Sequence, residues 1–283
     1  MKISVIHGGN FKLDGGAMFG VVPKSMWNKL NPADENNMCS WALRCLLIEE
    51  GETLLLIDTG MGNKQDERFF SHYYLHGDHS LENSLLEAGY SLDSITDVFH
   101  THLHFDHCGG SIRREGDGFA PVFPNARYWV DEKHWNWGIK PNAREKASFL
   151  KENLLPIQEL GLLNFLPEGP VSPWPWMELF RVYGHTESMV LPLIKHNGST
   201  IAFCADLFPS IHHIPLPYIM GYDMRPLETL NDKQRFFDRA LTENWVLFFE
   251  HDPVNECARL ETTEKGIRPG TPFLLKEALT QVD

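Results

Sequence analysis

Ten consecutive residues, Thr101-His-Leu-His-Phe-Asp-His-Cys-Gly-Gly110, restrict this chain more than any other segment. His102, His104, Asp106 and His107 fall within six positions of one another. Histidine is the commonest metal ligand, and a dication is the usual reason to hold several imidazoles together. In an extended segment, residues 102, 104 and 106 point to one side and 103 and 105 to the other. Leu103 and Phe105 can then anchor the run in apolar packing while His102 and His104 face a metal. His107 breaks the alternation, so Asp106 and His107 must lie on a turn. This predicts two neighbouring metal positions. The run follows an apolar strand and ends in a glycine pair, unlike a solvated histidine-rich loop set in a polar tract.

The chain has 283 residues, 42% of them hydrophobic, enough for a real core in one large domain or two small ones. Its net charge of −13 argues against nucleic acid or an anionic membrane as the main partner, because both demand a basic face. Cys39, Cys45, Cys108, Cys204 and Cys257 form an odd set without paired spacing and read as reduced thiols. No apolar run is long enough to span a bilayer, and the first residues lack a cleavage signal. The expectation is a cytoplasmic protein acting on a small molecule.

Apolar periodicity predicts an opening strand over 2–6 and a hairpin over 40–57 that turns at 49–52. It predicts helices over 64–76 and 81–88, with Leu81, Leu85 and Leu86 on one face, and a short strand over 96–100 that delivers the histidine run. Another strand is expected over 127–130, and a long helix over 143–160 interrupted near Pro156. A second series follows: a strand over 177–183, a hairpin turning at Asn197-Gly198, a helix over 230–242 capped by Thr229, and a strand over 246–249. No linker or low-complexity tract divides the two series, so one domain over 1–283 is expected, with sheets covered by helices in the α/β class.

His185, Asp206 and His251 each sit where a predicted strand ends, the place from which rigid scaffolds present chemistry. With the first run they make five histidines and two aspartates, a set that suits borderline metal ions. The ordered set, His102-x-His104-x-Asp106-His107, then Gly184-His185-Thr186, Cys204-Ala205-Asp206 and Glu250-His251-Asp252, resembles the metallo-β-lactamase-fold metallohydrolases, as does Asp58-Thr59-Gly60 after an apolar strand. The resemblance spans about residues 40 to 252 and implies a four-layer αββα sandwich. It implies that His102, His104 and His185 hold one metal, that Asp106, His107 and His251 hold the other, and that Asp206 bridges them with a hydroxide. It places Asp58 behind a ligand histidine, although a simple turn aspartate before Gly60 would look the same.

The chemistry so implied is hydrolysis. Two dications, less the charges of Asp106, Asp206 and a hydroxide, leave a site with about one net positive charge, suited to an anion developing on a carbonyl or phosphoryl oxygen. Asp106 is the candidate proton donor to the leaving group. Two zinc ions are expected, with iron, manganese or cobalt also acceptable to these donors. Histidine at 104, where the di-iron redox branch usually carries glutamate, lowers the redox reading. A thioesterase of the glyoxalase II type and a non-catalytic ligand-binding member compete with the lactone or ester hydrolase for the same set of residues.

Within the family, the segment Gly16 to Lys24 followed by Trp27 looks like the N-terminal loop of the branch containing N-acyl homoserine lactonases and related lactone, ester and phosphotriester hydrolases. It implies a pocket lined by Met18, Phe19 and Trp27, residues that would serve equally as core. Phe208, His212 and His213 are added to that pocket. Lactonases of the best-known type carry a tyrosine three residues after the bridging aspartate, where this chain has Pro209; His212, His213, Tyr218 and Tyr222 are the candidates to replace it. Trp135, Trp137, Trp174 and Trp176 suit a lid, a homodimer surface or helix packing.

Overall fold

The computed structural model describes residues 1–280. Two compact units are present, each assembled from separate stretches of chain. The first comprises Met1–Asn10, Leu43–Glu168 and Ser188–Val190; the second comprises Phe11–Ala42, Gly169–Glu187 and the chain from Leu191 onward.

The first unit is built on a six-stranded sheet. Its strands are β1 (Lys2–Asp14), β2 (Met38–Glu50), β3 (Thr53–Ile57), β4 (Asp97–Phe99), β7 (Arg127–Val130) and β8 (Leu163–Phe165), adjacent in that order. β5 (Ile112–Glu115) and β6 (Gly118–Pro121) form a separate hairpin. β2 and β3 are antiparallel and join through Gly51 at φ 60°, a conformation glycine adopts without steric cost. From β3 onward the pairing is parallel, with Ile57, Phe99 and Trp129 in register. Leu55, Leu56, Ile57, Val98 and Phe99 are fully buried, as expected of parallel strands covered on both faces. Neighbouring carboxyl ends therefore deliver Asp58, the histidine run and Asp131 side by side, the usual place for a site in a parallel sheet.

The second unit repeats the device. Its sheet runs β13 (Cys257–Ala258), β12 (Val246–Phe248), β11 (Ser199–Phe203), β10 (Met189–His196) and β9 (Met177–Val182). β11 and β12 are parallel with Phe203 opposite Phe248, so their ends present Asp206 and His251. β9 leads into His185. The Pro226–Thr242 helix packs through Phe236, whose ring lies 5.8 Å from Phe180 and 5.2 Å from Trp245. β14 (Leu260–Thr263) and β15 (Gly266–Pro269) form a further hairpin.

The α/β class read from the sequence is borne out, as are both hairpins; His196 pairs with Ser199 across Asn197-Gly198. Several boundaries differ for identifiable reasons. The first strand reaches Asp14. The helix expected over 64–76 contracts to Glu67–Ser71, because Asp66 caps it and Tyr74 turns to φ 45°. Leu86 is 62% exposed, so the 81–87 helix packs through Leu81 and Leu85 instead. Residues 143–148 are turns; the helix is Lys151–Glu159, and Pro156 lies inside it, where only one backbone bond is lost. The last long helix starts at Pro226, not after Thr229, because proline suits a first helical position.

Candidate metal centre

The first unit carries four of the candidate donors, His102, His104, Asp106 and His107. His104 ends an extended stretch, and Phe105–Cys108 form a single helical turn, which resolves the adjacency of Asp106 and His107. Leu103 is fully buried with Cys108, Val130, Trp135, Phe149 and Leu154. Burying such a leucine contributes about 2 kcal/mol, so the run is held from behind by packing. The Leu103 N–H also donates to His134 Nε2 at 2.8 Å. Phe105 packs on Phe69 and Tyr73, at 5.3 and 4.7 Å between ring centroids. Trp135 therefore serves as core, and Trp174 is buried as well. Burial pushes the Cys108 thiol up to about 12, which makes it inert packing.

Backbone contacts lock the run to the Asp58-Thr59-Gly60 loop. Thr59 N–H donates to His107 O at 2.7 Å, and Gly110 N–H donates to Gly60 O at 3.0 Å. A Cβ on Gly109 would stand 2.1 Å from Met61 O, and one on Gly110 would stand 2.1 Å from Thr59 O. The buried Lys64 amine donates to Gly109 O.

Hydrogen bonds fix the tautomer of each ring. Asp58 accepts from Thr101 N–H at 2.8 Å, from Thr101 Oγ1 at 2.7 Å and from His107 Nδ1 at 3.1 Å. Since the Thr101 hydroxyl proton goes to Asp58, its oxygen accepts from His102 Nδ1 at 3.1 Å. His102 and His107 are thus both left with a lone pair on Nε2. His104 is turned the other way: its Nε2 faces Glu145 Oε1 at 3.5 Å, and its Nδ1 lies 3.1 Å from His102 Nε2. Glu145 is itself held by Trp137 Nε1 and the Asn142 side chain, at 2.7 and 2.6 Å.

The second unit carries His185, Asp206 and His251. His251 Nδ1 donates to Ala42 O at 2.7 Å, and His185 Nδ1 donates to Asp223 at 2.9 Å. Their Nε2 atoms lie on different oxygens of one carboxylate: His185 at 3.1 Å from Asp206 Oδ2, His251 at 3.3 Å from Asp206 Oδ1. Two lone pairs facing at such distances need a positive charge between them. Burial works against a charged His185 ring, yet the carboxylates of Asp206 and Asp223 overcome it and raise the group to about 10. His102, His104, Asp106, His107, His185, Asp206 and His251 are each no more than 8% exposed. Buried imidazoles oriented from behind, with the buried carboxylates of Asp106 and Asp206, fit borderline divalent cations, which would take the place of the ring proton on His185.

The residues expected around a substrate fare differently. Met18, Phe19, Trp27, Phe208 and His213 are buried; Phe19 stacks on Trp27 at 5.5 Å and on His213 at 4.8 Å. Phe19, Trp27 and His213 thus form one stack of rings, while Phe208 packs on Phe236 and Phe237. His213 is engaged at both nitrogens: Ser210 Oγ lies 2.8 Å from Nδ1, and Nε2 donates to Met18 O at 2.9 Å. His212, Tyr218 and Tyr222 keep exposed surface. Pro209 accepts from the His251 N–H through its carbonyl at 3.0 Å, a positioning role independent of its side chain. Sequence reasoning missed His134, Glu145 and Asp223, because no spacing links them to the residues they hold.

Burial lowers the His213 ring to about 3. An unfolded histidine titrates at ~6.5, so between these values the unfolded chain binds more protons. Stability conferred by the neutral ring is complete above ~6.5 and is lost as pH falls toward 3, by up to about 1.4 kcal/mol per pH unit. In metal-free protein, urea unfolding at pH 7 and pH 5 is expected to differ by about 2 kcal/mol through this group. His213→Gln should shrink that difference, and an equal drop in the variant would contradict the assignment.

A family model described as "Metallo-beta-lactamase superfamily" matches residues 44–251. An N-acyl homoserine lactonase from Bacillus sp is 24% identical over 246 residues, covering 82% of this chain and 88% of the relative. A solved structure described as a probable metal-dependent hydrolase from Staphylococcus aureus superposes with a TM-score of 0.87 at 27% identity, over 96% of both chains. AidC, a dizinc quorum-quenching lactonase solved with its product N-hexnoyl-L-homoserine, superposes with a TM-score of 0.78 at 20% identity, over 96% of this chain and 95% of that one.

Proposed function

Because this chain belongs to the metallo-beta-lactamase superfamily, we propose that it is a two-metal hydrolase that opens a small, fairly apolar lactone or ester. It is a metal-dependent hydrolase, like the relatives it matches. The finer reading rests above all on Asp206, whose two oxygens each meet a different histidine, the arrangement of a carboxylate shared by two ions.

On this reading His102 and His104, through Nε2 and Nδ1, would join His185 in holding one ion, and Asp106, His107 and His251 would hold the other. What supports the pairing is the order of the donors along the chain, the family match and the lone pairs left by the ring tautomers. Two such ions would polarise the substrate carbonyl and make hydroxide available at neutral pH. The protein's own part is orientation and proton handling. Asp58, Glu145 and Asp223 keep His107, His104 and His185 aimed, each facing the ring nitrogen turned away from the proposed ions. Asp106 is 8% exposed, and we assign it the delivery of a proton to the departing alkoxide. His212, Tyr218 and Tyr222 are the groups left to bond the substrate carbonyl where lactonases use tyrosine. Among the described residues no helix is long and apolar enough to cross a membrane.

The test is a hydrolysis panel on zinc- and cobalt-loaded protein. It holds N-acyl homoserine lactones of several chain lengths, aryl esters, a thioester, a phosphotriester and a β-lactam. The expected result is a kcat/KM for a lactone or ester roughly tenfold or more above the rest, a preference of about 1.4 kcal/mol in transition-state binding. A preference for the thioester would move the protein to the glyoxalase II type. Substrate-dependent oxygen uptake with stoichiometric iron would indicate the redox branch, and tight binding without turnover a ligand-binding member.

A further inference from the structure

The start of the Pro226–Thr242 helix touches two loops of the second unit, and it does so with fully buried polar groups. Asp232 Oδ2 accepts from the N–H groups of Tyr183 and Gly184 at 2.7 and 2.8 Å. One turn earlier, Thr229 Oγ1 donates to Asp223 Oδ2 at 2.7 Å, while Asp223 Oδ1 holds His185. Next to Asp232 in the chain, Lys233 Nζ donates to the carbonyls of His213, Pro215 and Tyr218 at 2.6, 3.2 and 2.9 Å. Asp232 and Lys233 are both 0% exposed. Burying charged groups is costly; here Lys233 is matched bond for bond against backbone, and Asp232 is matched by two backbone N–H groups and by the Arg235 guanidinium on Oδ1 at 2.5 Å. Three acceptors correspond to the three protons of an ammonium. The contact is also close sterically, since a Cβ on Gly184 would stand 2.2 Å from Thr229 Oγ1 and 2.3 Å from its backbone nitrogen. Any larger residue at 184 would push helix and loop apart.

We propose that Thr229, Asp232 and Lys233 form one positioning clamp, in which the helix fixes the His185 loop with one pair of side chains and the 213–218 segment with the third. This rests on the reading of His185 as a metal ligand. Thr229 and Asp232 act through Asp223 and the 183–184 backbone on the aim of a ligand ring. Lys233 acts on the segment that follows the candidate substrate residue His212. The three residues touch no reacting atom, so their effects should separate by readout. A helix that merely stabilises the fold would affect all readouts together.

The experiment compares Asp232→Asn, Thr229→Val and Lys233→Met with the wild type, using cobalt titration of metal-free protein followed by absorption, and kcat and KM on the best ester or lactone. Asp232→Asn and Thr229→Val are expected to weaken binding of one cobalt ion by roughly tenfold or more and to change its absorption band. Lys233→Met is expected to keep cobalt affinity and raise KM by roughly tenfold, with a smaller change in kcat. Thr229→Val removes one bond at constant shape, so it carries the metal arm if Asp232→Asn does not fold. Wild-type uptake of two ions, with folded variants that bind cobalt and substrate as the wild type does, overturns the clamp alone. A wild-type chain that takes up no cobalt overturns the clamp and the metal reading together.

Discussion

Replacing Asp206 with alanine is expected to lower kcat/KM by roughly 10³-fold or more and to remove at least one ion from the isolated protein. Loss of a residue behind a ligand typically costs about 10–100-fold, and Asp206 is the ligand itself. Its two oxygens face His185 and His251, so the truncation leaves both imidazoles without the charge they are arranged around. Asp206→Asn is the sharper variant. It keeps size and polarity but removes the negative charge, and an amide cannot serve two ions as a carboxylate does. If Asp206 were a structural partner of two histidines only, the asparagine variant would retain most activity and both ions. Elemental analysis beside steady-state kinetics distinguishes these outcomes.

Gly109→Ala is expected to be the most damaging small substitution outside the ligands, lowering stability by about 3 kcal/mol. The methyl group would stand 2.1 Å from Met61 O and 2.6 Å from Met61 C. These are backbone atoms of a loop fixed by Thr59, Gly60 and Lys64, so no flexible side chain can yield. Gly62, at φ 67°, leaves the same space from the other side, its Cβ position 2.5 Å from Gly109 O. Because this backbone contact locks the loop of Asp58 to the turn of His107, the distortion should reach the donors. Weaker metal uptake is expected alongside the loss seen in urea unfolding. Wild-type stability in this variant would show that the two loops can part without cost.

The histidine run, the two hairpins and the strand ends carrying Asp58, His185, Asp206 and His251 could be read from the sequence because each is a local pattern. A burst of donors after an apolar strand, a glycine turn and alternating or continuous apolar residues all declare themselves within ten positions. Glu145, Asp223 and Asp232 could not be found that way. Each is one carboxylate among 38 acidic residues, and the group it holds lies 38 to 49 positions away. The pocket residues differ in kind. Met18, Phe19 and Trp27 have the composition of either a binding wall or a core; in the structure they are buried, with Phe19 stacked on His213. Helix starts shifted where capping competed with other turn chemistry, as Pro226 did with Thr229.

The central claim, a hydrolase working through two shared ions, is tested most directly by counting metal against activity. Metal-free protein would be titrated with zinc and assayed at each step on the best substrate of the panel. Activity is expected to remain low through the first equivalent and to rise as the second fills, with a plateau at two ions per chain. Full activity at one ion, or activity that survives complete chelation, would contradict it.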